Sequence, residues 1–262
     1  MSSNPRPLAP PPNTVPVLRK ALRVFEAVAQ SKGGATTKEL AASLGISHTT
    51  CYRILQSFVA QGWLSARRGG LFELSFALVP LLRPLLHHEL LIETVKEPLR
   101  QLAVATGLTA KLTVRQGDDA VTLVSVSSPK STAITSRVGS VVSLVIGSSG
   151  AALLSALPDA EIAPILAKAA AEVWAMQDRA DVQRRIREAR KDGVCFDHGS
   201  FQPHIHTLSA PLIVPERNVI AAITLLGFPS DFEGTARVAL KRQLKATAGS
   251  CLQLINGHDI AA

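Results

Sequence analysis

The chain has 262 residues, 47% of them hydrophobic, and 28 Lys and Arg against 20 Asp and Glu, for a net charge of +8 and a pI near 9.8. At ~100–200 residues per domain the length predicts two domains, each with enough apolar residues for a real core. The positive balance favours a polyanionic partner, nucleic acid or an anionic membrane surface, while no stretch approaches the ~18 uninterrupted apolar residues of a membrane span.

Up to Ser75 the chain carries nine basic residues (Arg6, Arg19, Lys20, Arg23, Lys32, Lys38, Arg53, Arg67 and Arg68) against Glu26, Glu39 and Glu73, so the excess is concentrated in the first third. The three cysteines, Cys51, Cys195 and Cys251, are odd in number and widely spaced. They suggest neither a disulfide framework nor a thiolate zinc site, and they fit a reducing compartment. The N-terminus lacks the basic start and apolar core of a signal peptide, so a cytoplasmic location is expected.

Residues 1–16 are proline-rich and read as a disordered or extended arm. Val17 to Gln30 places Leu18, Ala21, Leu22, Phe25, Val28 and Ala29 on one face of an amphipathic helix that ends at Gly33 and Gly34. Thr36 followed by Glu39 is a capping-box start; Gly45 closes that helix and Ser47 caps the next. In the second helix Cys51, Ile54, Leu55, Phe58 and Val59 form a buried stripe at helical period, and His48, Thr49, Tyr52, Arg53 and Gln56 occupy the opposite face. Two helices around a Gly-containing turn, the second with an exposed hydrogen-bonding and basic face, predict a helix-turn-helix. Gly62 to Ala66 and Leu71 to Leu74 alternate around Arg67-Arg68-Gly69-Gly70, which predicts a hairpin wing with two arginines at its turn.

Ser75 to Thr106 is helical in pattern, broken near Pro84, and unusually apolar for a linker, which implies a second copy of the chain as its cover. Beyond Gly107 the period changes to two. Strands are predicted at 109–115, 120–126, 131–137, 141–146, 194–197, 206–213 and 219–226, with helices at 151–157, 158–171, 181–191 and 234–254. The expected organisation is an arm at 1–16, a winged helix-turn-helix at 17–75, a linker helix at 76–90 and an α+β domain with a largely antiparallel sheet at 91–262.

Several strings, in order, resemble the IclR family of bacterial transcriptional regulators. Val17 to Phe25 matches that family's first helix, and His48-Thr49-Thr50-Cys51-Tyr52-Arg53-Ile54-Leu55 is similar to its recognition helix. Ser136-Arg137-Val138-Gly139-Ser140 resembles its serine-arginine-valine-glycine string, and Gly193 to Pro211 tracks the segment ending in its alanine-alanine-proline strand. The resemblance implies an N-terminal winged helix-turn-helix, a dimerising linker helix and a C-terminal GAF-like domain that binds a small effector, often an organic or aromatic acid. It also implies homodimers that pair into tetramers.

For DNA, Ser47, Thr49 and Thr50 suit phosphates or the helix cap, while His48, Tyr52, Arg53 and Gln56 are long enough for base edges. Thr37 at the start of the first helix joins this set, and Arg67 and Arg68 on the wing suit phosphates or a minor groove. His48 stands where the family commonly has lysine. For the effector, Gly147-Ser148-Ser149-Gly150 is a turn whose amides and hydroxyls suit a carboxylate. The resemblance adds Asp197, Thr207, Thr224 and Leu226 to that pocket. Ala151, Thr207 and Leu226 replace a common lysine, cysteine and serine, which favours a bulkier, partly apolar acid over a two-carbon keto acid.

His198, His204 and His206 beside Asp197 have a spacing compatible with a metal, but the reading preferred is an exposed loop entering a strand, with His206 on the pocket rim. No nucleophile elbow, phosphate-loop lysine motif or dinucleotide glycine fingerprint is present, so neither an enzyme nor a cofactor is predicted. The alternative is a metal- or ligand-sensing module whose helix-turn-helix serves protein contacts alone.

Overall fold

The computed structural model describes residues 15–82, 89–215 and 219–257. Most of the proline arm, the break near Pro84 and the turn at 216–218 lie outside these residues. The chain divides into two compact units, 1–86 and 87–262.

The first unit contains α1 (Pro16–Gln30), β1 (Ala35–Thr36), α2 (Thr37–Leu44), α3 (His48–Ala60), β2 (Leu64–Arg67) and β3 (Leu71–Leu74). Its capping box forms as predicted: the Glu39 amide donates to Thr36 Oγ1 and the Thr36 amide to Glu39 Oε2. The Thr36 amide, and with it the Thr36 hydroxyl, donates to Glu39 Oε2, and these two bonds hold the Glu39 carboxyl below its ordinary value. Gly45 ends α2 at φ +65°, a left-handed conformation that glycine adopts without steric cost. Val24, Val28, Leu40, Ile54, Leu55, Leu64 and Phe72 form the core, with Phe25, Phe58 and Trp63 in mutual ring contact beside it. The wing is a three-stranded antiparallel sheet of order β1-β3-β2. After it come a 3₁₀ turn (Phe76–Leu78) and α4 (Val79–Leu82).

The second unit contains α5 (Glu89–Thr106), β4 (Thr109–Gln116), β5 (Asp119–Val126), β6 (Val141–Ser143), α6 (Gly147–Leu154), α7 (Asp159–Lys168), α8 (Ala171–Trp174), α9 (Arg179–Asp192), β7 (Cys195–Asp197), β8 (His206–Val214), β9 (Val219–Gly227) and α10 (Gly234–Gly257). All neighbouring strands are antiparallel, in the order β6-β5-β4-β9-β8-β7. One sheet face buries Ala110, Leu112, Leu208, Ala210, Ile223 and Leu225 against α5 and α10. The other is covered by α6 to α9 through Leu153, Leu154, Ile162, Val182 and Ile186. Helices on both faces thus make three layers, with the sheet in the middle.

Two expectations are corrected here. Residues 131–137 are not a strand: β6 takes Asp119–Val121 of β5, and ahead of β6 the chain meets the β5 backbone at Thr122 alone, through Gly139 and Ser140. Its backbone is anchored instead by side chains and chain ends, with Thr109 Oγ1 donating to the Ile134 carbonyl and the Gly139 amide to the Thr122 carbonyl. Gly147 to Gly150 is not a turn ahead of a helix but the first turn of α6 itself. A Cβ on Gly150 would collide with the Leu144 carbonyl, so α6 lies on that backbone at a distance only glycine allows. Gly150→Ala is expected to lower stability by about 1–3 kcal/mol or more, read as a lower urea midpoint for the second unit's transition.

Candidate functional site

In the first unit, α3 presents one covered and one open face. Cys51, Ile54 and Leu55 are buried, while His48, Thr49, Tyr52 and Arg53 are exposed and Gln56 is half-buried. Ser47 Oγ accepts from the Thr50 amide and donates to Thr50 Oγ1, so both hydroxyls are spent on the helix start. The side chains of His48, Tyr52 and Arg53 hold no partner among the described residues, and Arg68 at the wing is likewise unpaired. Arg67 differs: its Nε lies 2.5 Å from Glu73 Oε1. Thr37 is only 8% exposed; Thr36 takes the surface capping position and α2 turns the next residue inward, away from the α3 face.

In the second unit, strand register decides which residues meet. Cys195 opposes Ser209, Ser209 opposes Thr224, Thr224 opposes Lys111 and Lys111 opposes Ser125, a row across five strands on the face toward α6. The adjacent row on that face is Asp197, Thr207, Leu226 and Thr109. Ser148 of α6 reaches down to both rows, with its Oγ 2.6 Å from Thr207 Oγ1 and 2.7 Å from Ser209 Oγ, and Ser209 Oγ is 2.8 Å from Thr224 Oγ1. Four hydroxyls hold four protons and make three mutual bonds, so one donor is left for a guest.

Beside this chain lies a buried ion pair that sequence reasoning missed. Arg185 of α9 and Asp197 have side chains 1% and 3% exposed, with Nη1 2.6 Å from Oδ1. Arg185 Nη1 also donates to Ser200 Oγ, and Nη2 donates to Gln177 Oε1 at 2.6 Å. Ser200 donates to Asp197 from both its amide and its hydroxyl. Among the described residues two buried donors have no partner: Arg185 Nε and Trp174 Nε1. The signal in the sequence was slight, since Arg185 sits in a helix where arginine is otherwise a surface residue; only its place on the Val182–Ile186–Ala189 buried side marks it.

The structure therefore brings Ser148, Thr207, Thr224, Leu226 and Asp197 to one sheet face, with Gly147 and Ser149 in the first turn of α6 above it. Gly150 faces the Leu144 backbone. His206 is the clear exception. Adjacent strand residues point to opposite faces, so with Thr207 toward α6, His206 lies on the α10 side, where its ring is 5.5 Å from that of Phe196 and 5.6 Å from that of His198. Burial and the neighbouring His206 push the His198 imidazole below its ordinary value. His204 is in a turn ahead of β8 and does not share its face. Among the described residues no three potential ligands gather around a metal position. Burial also raises the Cys195 thiol, whose Sγ donates to the Ser148 carbonyl, so it is not a ready thiolate.

A winged helix-turn-helix followed by a sheet domain with an internal polar cluster defines a DNA-binding regulator. Residues 84–251 match the family described as bacterial transcriptional regulator IclR, C-terminal, and residues 17–68 match the IclR helix-turn-helix domain. The chain belongs to the IclR family of transcriptional regulators and is not an enzyme. It is 26% identical to the regulator RhmR of Escherichia coli over 81% of this chain and 83% of that one. It is 22% identical to the repressor AllR of Klebsiella pneumoniae over 80% of this chain and 79% of that one. It shares the fold of Thermotoga maritima IclR (TM-score 0.67, 18% identity, 91% of this chain and 98% of that one). An IclR homologue from Microbacterium hydrocarbonoxydans, in complex with 4-hydroxybenzoate, superposes equally well (TM-score 0.67, 18% identity, 92% and 99%).

The ion pair should behave as a coupled unit. Arg185→Gln alone leaves a buried carboxylate without its counter-charge and is expected to cost about 3–5 kcal/mol, whereas Arg185→Gln with Asp197→Asn recovers most of that loss. Urea unfolding of the full double-mutant cycle measures it; additive losses would mean that the two residues act separately.

Proposed function

We propose that this protein binds an operator as a homodimer, paired further into a tetramer, and that a small organic or aromatic acid bound at the Ser148–Asp197 face controls its affinity. The observation that carries this reading is a division of labour: the first unit leaves its hydrogen-bonding side chains unpartnered at the surface, and the second gathers polar groups in its interior. The first arrangement suits a duplex, the second a small molecule. The complex of the Microbacterium homologue with 4-hydroxybenzoate supports an acid as the ligand class. A cytoplasmic site of action fits the three free cysteines, and among the described residues no helix is long and apolar enough to cross a membrane. Exposed Phe76, Val79 and Leu81, in and after the turn that follows the wing, support a second copy as their cover. The sheet with helices on both faces is consistent with a GAF-like sensing domain.

On DNA, Arg53, His48 and Tyr52 reach base edges while Thr49 faces phosphates, Ser47 and Thr50 hold the cap, and Gln56 flanks the row. Arg68 meets the backbone directly, and Arg67 does so by leaving Glu73. The effector favours one arrangement of the sensing domains, and through them changes the spacing of two recognition helices.

A thermal-shift screen of aromatic and aliphatic acids, 4-hydroxybenzoate included, with EDTA and zinc controls, is expected to give an acid that raises the melting temperature and changes operator affinity. A shift with zinc alone would replace the acid by a metal, and absence of any salt-dependent duplex binding would leave the helix-turn-helix as a protein-contact module. Arg53→Ala is expected to reduce the preference for operator over random duplex, by about 1–3 kcal/mol if its contact is bidentate to guanine. Arg68→Ala should weaken both duplexes alike and reduce the salt slope by about one. Both are read by fluorescence anisotropy across a salt series; an unchanged specificity ratio for Arg53→Ala removes it from base reading.

A further inference from the structure

Lys111 is the charged residue of the central row, and it has no partner among the described residues. Register places it directly opposite Thr224 on one side and Ser125 on the other, on the face toward α6. It is half-buried, and no hydrogen bond or ion pair holds its ammonium among the described residues. The elements around it offer no carboxylate in reach. α6, β9 and the segment 127–140 contain no Asp or Glu, and on β5 the sole acid, Asp119, sits at the far end, paired with Gln116 and Ser143. Asp197, the acid of the neighbouring row, is already neutralised by Arg185. Burial pushes the Lys111 ammonium down to about 8, the mark of a cation short of both water and counter-charge.

The segment 127–140 closes over the same place. It is tied to Thr109 at one end, where Thr109 Oγ1 donates to Ile134 and accepts from the Ser128 amide, and to Thr122 at the other, where Ser140 Oγ meets Thr122 Oγ1. Thr109 is two residues before Lys111 on its face; Thr122 pairs with Thr113, two residues after it. Lys111 therefore lies between the two tethers. Within the cluster the Arg185–Asp197 charges cancel, and Lys111 leaves one positive charge over. Thr224, at the end of the hydroxyl chain, and Leu226, on the same strand and face, provide a polar and an apolar neighbour.

We propose that Lys111 is the counter-ion of the effector and that the site takes a singly charged carboxylate, with the acid group over β4 and β9 between Lys111 and Thr224 and the remainder of the molecule toward Leu226. This rests on the reading of the second unit as an acid-binding domain. The assignment also accounts for the Gly147–Gly150 turn, whose hydroxyl at Ser148 is committed to Thr207 and Ser209 and does not supply a charge. Arg185 already gives three of its five N–H groups to Asp197, Ser200 and Gln177 and has its charge met by Asp197, whereas Lys111 has its whole ammonium free among the described residues.

The test is isothermal titration of the full-length protein with benzoate, phenylacetate and pyruvate, each beside its neutral amide. At least one acid is expected to bind the parent protein tenfold or more tightly than its amide. Lys111→Met should lose that factor and bind acid and amide alike, while Lys111→Arg, which keeps the charge, should retain most of the preference. The unliganded Lys111→Met protein should melt at the parent temperature or above it, since removing a desolvated, unpaired ammonium relieves a cost instead of creating one; a structural lysine would give the opposite shift. Undiminished acid binding by Lys111→Met, or a lower melting temperature in the absence of ligand, overturns the assignment while leaving the acid-effector reading intact. Failure of every acid to bind the parent protein overturns both.

Discussion

A sheet covered on both faces has no solvent with which to satisfy a polar side chain, and this constraint organises the second unit. The strands answer it first with composition: Leu112, Leu208, Leu212, Ile223 and Leu225 fill the α5–α10 side without a polar atom. Where polar residues do occur on the α6 side, they pair with one another. Thr113 donates to the Ala222 carbonyl, Ser148 closes a chain with Thr207, Ser209 and Thr224, and Asp197 meets Arg185. A buried hydroxyl without a partner costs about 1–3 kcal/mol, so a cluster of this size persists only because its members serve each other. That mutual service also makes a site: polar atoms held in fixed positions, with a small remainder of unused capacity.

The same constraint explains what could be read from the sequence. Periodicity found the long elements, because a sheet packed on both sides and helices packed on one leave strong patterns at periods two and 3.6. It placed a strand at 131–137, where Ala133, Thr135 and Arg137 alternate with Ile134 and Val138, because alternation says nothing about which backbone a segment meets. It missed β1, since two residues make no pattern. Caps were the most readable feature of all: Thr36, Glu39, Gly45 and Ser47 act within one turn, so their chemistry is complete in the local sequence.

The candidate sites were readable to a different degree. On α3 the exposed face follows from the buried stripe, and only Thr37 was misplaced, by one residue of helical phase. In the second unit the candidates Ser148, Thr207, Thr224 and Leu226 meet on one sheet face, while the candidate His206 lies on the other, a separation that period two alone gives. Arg185, Gln177, Ser200 and Lys111 were not found. They lie 12, 20 and 3 residues from Asp197 in the first three cases and 113 residues from Thr224 in the last. Register between non-consecutive strands brings that last pair together, and no local pattern encodes it.

Regulation by a ligand requires that it bind two states of the protein unequally, and the free energy for that difference must come from groups whose satisfaction changes on binding. The Ser148 hydroxyl chain, with three of its four protons used internally, and the Arg185–Asp197 pair, with its charges already matched, are poor sources. Among the described residues Lys111, Arg185 Nε and Trp174 Nε1 are unpartnered, and of these Lys111 alone is an ammonium with all its donors free. A carboxylate at Lys111 supplies a counter-charge in a setting where water is scarce, so the attraction is stronger than the same pair would have at the surface. An ammonium that destabilises the free domain is thereby the element that makes the bound one different from it.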